Sequence, residues 1–526
     1  MRTSRFFLLL VVFLCGMTSM AIEMTASRLI GTFFGSPLPI WAILIGMVMI
    51  YLSLGYTLGG RLADRRPHAS FLYGLVGVAA VATGLIPPLS RPLLGWAQEG
   101  LANVAAGLYI GALVGVLVLL SIPMVLLGCV SPFAIRLEMM AVDRAGRTSG
   151  SIYALSTVGS ILGTLLPSFV TIPLWGVSLT FYAFSLLLLL VPLIGVPRWT
   201  TRLVFLLFLV GIGALALLFL SGLWRGWREP PPGTVLVDER ESVYNYIQVY
   251  RDGDRIYLAL NEGLAVHSYY SLTYGRTGNP FDLLSYGPWD IFLIAPYFAP
   301  DVPEGSFSSM CLIGSAAGTI PKQYGAVYGD RVQIDGVELD PEIVEVGRRY
   351  FRMGDEEARG VLRVYVQDGR YFLSTVPRRY DIVAVDAYRQ PYIPFHLTTE
   401  EFFAQVRAHL KPNGVCAINV GHVVGDDRLV DAIAATMRRV FPSVYVIDLP
   451  GHTVTNSIVV ATVRESSLAD LDRNTARLEH PVLRHVVGYV RGHTRLWSGE
   501  GIVFTDDRAP VEHVVDQMIL NYVQAR

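Results

Sequence analysis

Long apolar runs occupy the first part of this chain. Between residues 1 and 222 there are about seven runs of roughly 20 apolar residues, the length that an α-helix needs to cross a hydrocarbon core of about 30 Å. The runs lie near 6–27, 37–58, 70–89, 107–130, 151–171, 176–195 and 203–222. A chain of 526 residues, 52% of them hydrophobic and concentrated in this way, is not a single soluble domain. The sequence therefore predicts a transmembrane domain of about seven helices over 1–222, in contact with a lipid bilayer.

The charged residues also divide the chain in two. Residues 1–222 hold 12 of the 42 basic residues and 5 of the 43 acidic ones, so the remainder is acidic overall. Neither part has the concentration of positive charge that nucleic-acid binding needs, and we expect no nucleic-acid partner. The four cysteines lie in predicted spans or strands, and the chain contains no common zinc or P-loop motif. We therefore expect no metal site.

The remainder of the chain has the pattern of a mixed α and β domain. A proline-rich segment at 223–233 is predicted to be a linker, and short alternating strands at 234–287 predict a small β-appendage and gate region. From 288 to 526 strands near 310–313, 415–420, 444–447 and 458–463 accompany helices near 341–351, 398–410 and 426–441. Strand–helix units of this length predict an open parallel sheet, an α/β Rossmann-like domain.

Small and acidic residues follow the predicted strands at what would be the carboxyl edge of that sheet. They are Gly314, Ser315 and Ala317 after the first strand, Glu338 and Leu339 at the second, Asp368 and Gly369 at the third, and Asp386 at the fourth. Carboxylates at this edge can bind the ribose hydroxyls and the adenine amine of a nucleoside. A small-residue turn alone is usually structural, Glu338 could be a charge at a helix start, and Asp386 a buried structural acid. Their succession along one sheet favours a nucleoside site.

The order of these motifs from 241 to about 421 resembles that of the spermidine synthases, the polyamine aminopropyltransferase family with a class I methyltransferase-type fold. Together with the apolar spans, the chain is similar to the membrane-fused spermidine-synthase-like proteins. The resemblance implies a transferase that moves an aminopropyl group from decarboxylated S-adenosylmethionine to a polyamine or other amine and releases 5′-methylthioadenosine. It also allows a homodimer. The run at 505–512 resembles a segment of the fused proteins, and the sequence indicates no role for it.

The resemblance also assigns expected roles to single residues. Asn245 in the β-appendage would contact the nucleoside, Glu338 the ribose and Asp368-Gly369 the adenine. Asp386 would be the catalytic acid that orients or deprotonates the amine. The residues expected on the acceptor side are Tyr274, Arg389 and Gln390.

Two departures from the family pattern leave the cofactor and the function open. Soluble spermidine synthases carry an Asp at the position of Ala317, and a second Asp where Arg389 or Gln390 stands here. An opposing charge in contact with a cationic substrate is worth on the order of 4 kcal/mol at an effective dielectric constant near 20, so these changes should weaken diamine binding. Intact S-adenosylmethionine, used for methyl transfer or cleaved to 5′-methylthioadenosine, is one alternative. A sensor or transporter that binds a nucleoside or polyamine without turnover is another.

The membrane side of the soluble part is likewise open. Basic residues cluster at 61–66, 143–147 and 198–202, and the rule that such connections stay in the cytoplasm predicts a multi-pass protein of the cell (inner) membrane. With seven spans, the soluble part would emerge outside. The supply of an adenosyl cofactor favours the cytoplasmic side.

Overall fold

The computed structural model describes residues 5–34, 38–100, 107–139, 145–221, 230–261, 265–389, 391–450 and 454–524. They form two compact units. The first comprises Met1–Glu229 together with Glu241–Val243, and the second comprises Pro230–Arg240 and Tyr244–Arg526. Most of the predicted linker, up to residue 229, lies outside the described residues.

The first unit is helical. Its helices are α1 (Arg5–Phe34), α2 (Leu38–Arg65), α3 (Ala69–Gly100), α4 (Gly107–Gly128), α5 (Val130–Glu138), α6 (Ala145–Leu166), α7 (Ile172–Gly195) and α8 (Trp199–Leu220). Glycines allow α1 and α6 to approach closely, since a Cβ at Gly159 or Gly163 would clash with the α1 backbone at Phe13 or Met17. This unit is the multi-pass α-helical part of the predicted fold.

Six helical segments among the described residues are long and apolar enough to cross a membrane, whereas the sequence predicted about seven spans. The difference lies in the segment Ala145–Gly195, which is 51 residues long and contains both the 151–171 and the 176–195 run. A π-helical turn, Pro167–Thr171, joins α6 to α7, and Gly176 has φ 80° and ψ 178°, which no helix adopts. The count therefore depends on whether this interrupted segment is taken as one span or two.

The second unit begins with the predicted β-appendage, a four-stranded sheet in the order β1-β2-β3-β4. The strands are β1 (Val235–Glu241), β2 (Tyr246–Asp252), β3 (Arg255–Leu260) and β4 (Val266–Ser271). The short helices α9 (Leu272–Thr277) and α10 (Pro288–Phe292) lead from it into the main sheet.

The main sheet has eight strands in the order β12-β10-β11-β9-β8-β5-β6-β7. The remaining elements are, in chain order, β5 (Ser309–Ile313), α11 (Thr319–Val327), β6 (Gln333–Glu338), α12 (Pro341–Tyr350), α13 (Met353–Ala358), β7 (Leu362–Val366), α14 (Gly369–Thr375), β8 (Tyr380–Val385), α15 (Glu400–Ala408), β9 (Leu410–Val423), α16 (Arg428–Arg438), β10 (Ser443–Asp448), β11 (Val454–Thr462), α17 (Leu468–Ala476), α18 (Pro481–Val490), β12 (Thr494–Leu496) and α19 (Val511–Gln524).

Five strands of this sheet, β7, β6, β5, β8 and β9, are parallel to one another. The sequence predicted an open parallel sheet throughout, and this is wrong at one edge, where β11 pairs antiparallel with both β9 and β10 and β12 pairs antiparallel with β10. The short connection from β10 to β11 explains the reversal of β11, because a strand that follows its neighbour without a crossover helix must be antiparallel to it. β11 then lies between β9 and β10 and is antiparallel to both. The α/β Rossmann-like class is confirmed.

Alternation along β5 shows where the core lies. Met310 and Leu312 belong to the hydrophobic cluster on one face of the sheet, whereas Cys311 and Ile313 belong to the cluster on the other. Both faces are therefore covered, as expected for parallel strands with near-continuous apolar sequences. Because both faces of the sheet are buried, polar side chains lie at the carboxyl ends of the strands.

Candidate active site

The glycine-containing turn after β5 is held against two neighbouring strands. The Gly314 N–H donates to the carbonyl oxygen of Val337 at 2.8 Å. Gly314 has φ 84°, and a Cβ there would clash with the backbone of Asp386. Only glycine fits this position, because the backbone is left-handed and the end of β8 lies directly beside it. The turn thus lies between the ends of β6 and β8.

The acid at the end of β6 binds the turn directly. One carboxylate oxygen of Glu338 accepts a hydrogen bond from the Ala316 N–H at 2.9 Å, and the other accepts one from the Asp340 N–H at 3.1 Å. Burial raises the pKa of Glu338 to about 7, and these two N–H donors oppose that rise. Leu339, the next residue, has an exposed side chain.

Asn245 of the β-appendage reaches the same strand end. Its amide donates to the Asp340 carboxylate at 2.9 Å and accepts from the Asn261 amide at 2.9 Å. Asp340 is the N-cap of α12, where it accepts from the Glu342 N–H at 3.0 Å. The residue predicted to contact a nucleoside is therefore joined to the β6 acid through Asp340.

The acid after β7 stands at the start of α14. One oxygen of Asp368 accepts from the N–H groups of Arg370 and Tyr371, both at 2.9 Å, and the other lies 2.9 Å from Nε2 of His396. The hydrogen bond with His396 holds the pKa of Asp368 below its ordinary value. A Cβ on Gly369 would clash with Ile313, so the start of α14 lies against the end of β5. The Asp368 side chain remains 37% exposed, which leaves it accessible to a ligand.

Asp386 follows β8 and faces a cavity of about 280 Å³. The Trp289 indole N–H donates to one of its carboxylate oxygens at 2.9 Å, and the Asn419 amide donates to the other at 2.7 Å. Burial raises the pKa of Asp386 to about 6, while these two donors oppose the rise. A carboxylate with such a pKa is largely ionised at neutral pH and can still accept a proton.

The cavity combines elements from both sheets of the second unit. Its lining comprises Ala265, Val266, His267, Pro288, Trp289, Ala316, Asp386, Tyr388, Asn419 and Asn456. The Tyr388 hydroxyl donates to the backbone oxygen of Asn419 at 3.0 Å, and burial raises the pKa of Tyr388 far above its ordinary value. Tyr388 therefore stays neutral, and Asp386 is the carboxylate among the residues that line this cavity.

Four further predicted site residues, Ser315, Ala317, Tyr274 and Arg389, are not among the residues that line the cavity. Ser315 is buried, and Ala317 packs in a hydrophobic cluster with Ile343 and Val346, its N–H donating to Ser268 at 2.9 Å. Tyr274 packs against the same cluster. Arg389 is exposed, and its backbone pairs with that of Tyr392. Gln390 lies outside the described residues.

The three cavity residues that are hydrogen-bonded to Asp386 directly or through one amide were not predicted from the sequence. Asn419 depends on the pairing of β8 with β9: Val385 pairs with Ile418, so the next residue, Asn419, lies beside Asp386. Asn456 lies on β11, whose antiparallel position was not predicted. Trp289 follows Gly287-Pro288 at the start of a five-residue helix, where no periodic pattern exists to reveal its direction.

The run at 505–512 contacts the start of α14. Asp506 forms two hydrogen bonds with the guanidinium of Arg370, at 2.7 and 2.6 Å, and accepts a third from Thr399 at 2.7 Å. Arg370 also donates to the backbone oxygen of His396 at 3.2 Å. Asp506 is thus linked to the two residues, Asp368 and His396, at the β7 end of the site.

No group of three or more His, Cys, Asp or Glu side chains in the described part of the chain is arranged to hold a metal ion. The polar groups at the strand ends are instead carboxylates, amides and backbone N–H groups. These suit the hydroxyls and amines of an organic ligand.

Comparison with known proteins identifies the type of domain. Residues 327–473 match the family described as the spermine/spermidine synthase domain. The second unit resembles the spermidine synthases. The resemblance predicted from the motifs is confirmed by this match, and the apolar helices of the first unit fit a membrane-fused member.

Individual relatives agree with that resemblance. A probable polyamine aminopropyl transferase of Bifidobacterium longum is 30% identical over 313 residues, which are 54% of this chain and 64% of that protein. The polyamine aminopropyltransferase of Vibrio vulnificus is 24% identical over 287 residues, 53% of this chain and 90% of the relative. The chain thus covers less than two thirds of the Bifidobacterium protein. The predicted enzyme class, a transferase of the aminopropyltransferase type, agrees with both names.

A solved structure is also similar in part. A probable spermidine synthase from Corynebacterium glutamicum aligns over 51% of this chain and 95% of its own, with 21% sequence identity and a TM-score of 0.38.

Proposed function

We propose that the second unit transfers an aminopropyl group from decarboxylated S-adenosylmethionine to an amine and releases 5′-methylthioadenosine. The observation that carries the proposal is Asp386, a partly buried carboxylate with a raised pKa, at the wall of a cavity beside the glycine turn. The names of the relatives support the reaction class.

The residues around the turn would bind different parts of the nucleoside. Glu338 and Asn245 would bind the ribose side of the nucleoside, and Asp368 with Gly369 the adenine. Gly314, Ser315 and Ala317 would let the backbone approach the ligand. Three contacts at the end of β5 support these roles. Glu338 accepts from the Ala316 N–H, Gly369 beside Asp368 lies against Ile313, and Gly314 lies against the backbone of Asp386.

In the transfer, the amine nitrogen attacks the methylene carbon bonded to the sulfonium. A C–N bond forms, the C–S bond breaks, and its electron pair leaves with sulfur as a neutral thioether. The proton lost by the amine passes to Asp386, whose ionised form is the acceptor. Since the sulfonium is already a good leaving group, most of the rate enhancement would come from alignment of the two reactants.

A second candidate is an enzyme that uses intact S-adenosylmethionine. It is favoured by Ala317, because the carboxylate that soluble spermidine synthases place there would repel the carboxylate of the intact cofactor. At this position the side chain is an apolar methyl group that packs in a hydrophobic cluster. Intact S-adenosylmethionine would then be a methyl donor or would be cleaved to 5′-methylthioadenosine.

Chromatography of 5′-methylthioadenosine released by the full chain in detergent tests both candidates. With decarboxylated S-adenosylmethionine and a panel of mono-, di- and polyamines, we expect release that depends on the amine and rises with pH through about pH 6, as Asp386 ionises. Asp386→Asn should lose at least about 100-fold in rate, the usual order for a general base. Release only from the intact cofactor would favour the second candidate, and release from neither would contradict both.

We further propose that the first unit places this enzyme in the cell (inner) membrane as a multi-pass protein. Six apolar helical segments support it. The homodimer allowed by the resemblance stays a prediction, which light scattering of the protein in detergent tests.

A further inference from the structure

Three side chains at the cavity form one hydrogen-bonded row. The Asn456 amide donates to the side-chain oxygen of Asn419 at 2.9 Å, and the Asn419 amide donates to the Asp386 carboxylate at 2.7 Å. All three line the cavity. Asn456 is therefore linked to the proposed base through a second amide.

The sheet explains why the row forms. Val385 of β8 pairs with Ile418 of β9, so that Asp386 and Asn419 follow side by side on parallel strands. On the other side of β9, Asn456 pairs with Gly421, two residues beyond Asn419, and thus lies diagonal to it on the same face of the sheet. Adjacent strands carry the three side chains, which keeps their spacing fixed.

The orientation of the Asn419 amide determines whether Asp386 faces a hydrogen-bond donor or an acceptor. In the present orientation, an N–H points at the carboxylate and the amide oxygen points at Asn456. If the amide turned over, its oxygen would face a carboxylate oxygen at hydrogen-bond distance, and two acceptors would repel each other. The Asn456 N–H favours the first orientation, because in that orientation the Asn419 oxygen accepts its hydrogen bond at 2.9 Å.

We propose that Asn456 is a positioning residue for the reaction at Asp386: its amide N–H holds Asn419 in the orientation that donates to the carboxylate. The inference rests on the proposed function for the role of Asp386, and extends it to a residue on β11 that acts through another side chain. Asn456 thereby keeps Asp386 ionised and directed toward the amine.

The kinetic test compares Asn456→Leu, Asn419→Leu and the double variant in the full chain. For Asn456→Leu we expect a roughly tenfold fall in kcat, an unchanged KM for the nucleoside, and an acidic limb of the pH–rate profile that lies about one pH unit higher. If Asn456 acts through Asn419, the double variant equals Asn419→Leu alone. Additive losses in the double variant would overturn the proposal, since they would mean that Asn456 acts by packing.

A second measurement needs no turnover. The Trp289 indole donates to Asp386, so tryptophan fluorescence should change as Asp386 titrates, with a midpoint near the Asp386 pKa of about 6. Trp289→Phe and Asp386→Asn should abolish that change. These two variants distinguish the fluorescence of Trp289 from that of the other seven tryptophans in the chain. In Asn456→Leu the midpoint should lie about one pH unit higher. An unchanged midpoint would overturn the proposal.

The matched control is Thr455→Val, on the neighbouring position of β11, whose side chain lies on the opposite face of the strand. It should leave both the rate profile and the fluorescence midpoint as in the wild type. The two measurements also separate this inference from the proposed function. A wild type that releases no 5′-methylthioadenosine contradicts the function, while the fluorescence midpoints still decide whether Asn456 sets the state of Asp386.

Discussion

At the scale of single residues, the site contains three acids whose pKa values are shifted in different directions by their surroundings. Burial raises the pKa of Glu338 and Asp386, whereas the hydrogen bond with His396 lowers that of Asp368. The ordinary reference value would be similar for all three. Among them, Asp386 combines a raised pKa with a place in the cavity wall, and this combination suits a group that accepts a proton during a reaction.

The raised pKa of Asp386 predicts a pH-dependent stability. Its folded-state pKa of about 6 exceeds the unfolded value near 3.9, so its contribution to stability is fully present below pH 3.9 and is lost as pH rises through 6. The free energy of unfolding of the wild type, relative to Asp386→Asn, should therefore fall by on the order of 3 kcal/mol between pH 4 and pH 7. Thermal unfolding midpoints of both proteins across this range measure it. A difference that stays constant with pH would contradict the assignment.

At the scale of elements, the turn between β5 and α11 brings the strand ends together. We expect Gly314→Ala to destabilise the protein by about 2–4 kcal/mol and to abolish nucleoside binding, because the backbone is left-handed and the new methyl group would displace Asp386. Calorimetric titration with 5′-methylthioadenosine and thermal unfolding measure the two effects.

Gly354→Ala in α13 is the matched control for that substitution. A Cβ at Gly354 meets open space, and alanine in a helix is favoured by up to about 1 kcal/mol over glycine. This variant should bind the nucleoside as the wild type does. An equal loss of nucleoside affinity in both variants would mean that the loss in Gly314→Ala does not come from the turn.

The helix α14 carries a second prediction, on the role of the 505–512 run. Arg370→Met and Asp506→Asn should each weaken 5′-methylthioadenosine binding several-fold, because the pair holds the helix that begins after Asp368. The double variant should be about as weak as either single one, with a coupling of about 0.5–1 kcal/mol, the value for a partly exposed pair. Calorimetry on the four proteins measures the coupling.

The pair Arg348 and Glu357 is the control for this cycle. It also forms two hydrogen bonds, at 2.8 and 2.7 Å, and it joins α12 to α13. Breaking it should change thermal stability by a similar amount and leave nucleoside affinity unaltered. A loss of affinity in this control as well would mean that surface ion pairs act on the site only through general stability.

The elements also show how much of the site the sequence predicts. Glu338, Asp368 and Asp386 were predicted because parallel strands end at one edge and their acids must lie along it. The position of Asn456 depends on the insertion of β11 as an antiparallel strand beside β9. The alternation of residues within a strand does not reveal whether its neighbours are parallel or antiparallel. The direction of the Trp289 side chain depends on the short helix α10, which follows the β-appendage. The residues that contact Asp386 thus come from long-range topology, while Asp386 itself comes from local pattern.

At the scale of the whole molecule, the number of membrane crossings decides the side on which the second unit emerges. The segment Ala145–Gly195 is 51 residues long, and one continuous helix of that length would measure about 76 Å, more than twice the hydrocarbon core. The helix α6 has 22 residues, and the part of α7 after Gly176 has about 19, so each is long enough to cross once. Two crossings also keep the basic residues at 143–147 and 198–202 on the same side, as the charge rule requires.

Cysteine labelling tests the crossings directly, because the native cysteines at 15, 129, 311 and 416 are buried. Leu174 and Trp199 are 71% and 72% exposed, and we expect Leu174→Cys to react with a membrane-impermeant maleimide from outside the cell and Trp199→Cys only after the membrane is opened. With seven crossings, Ser374→Cys in the second unit should react from outside. If Ala145–Gly195 crossed once, Trp199→Cys would react from outside and Ser374→Cys only from within, which would place the second unit on the cytoplasmic side, where the proposed adenosyl cofactor is supplied.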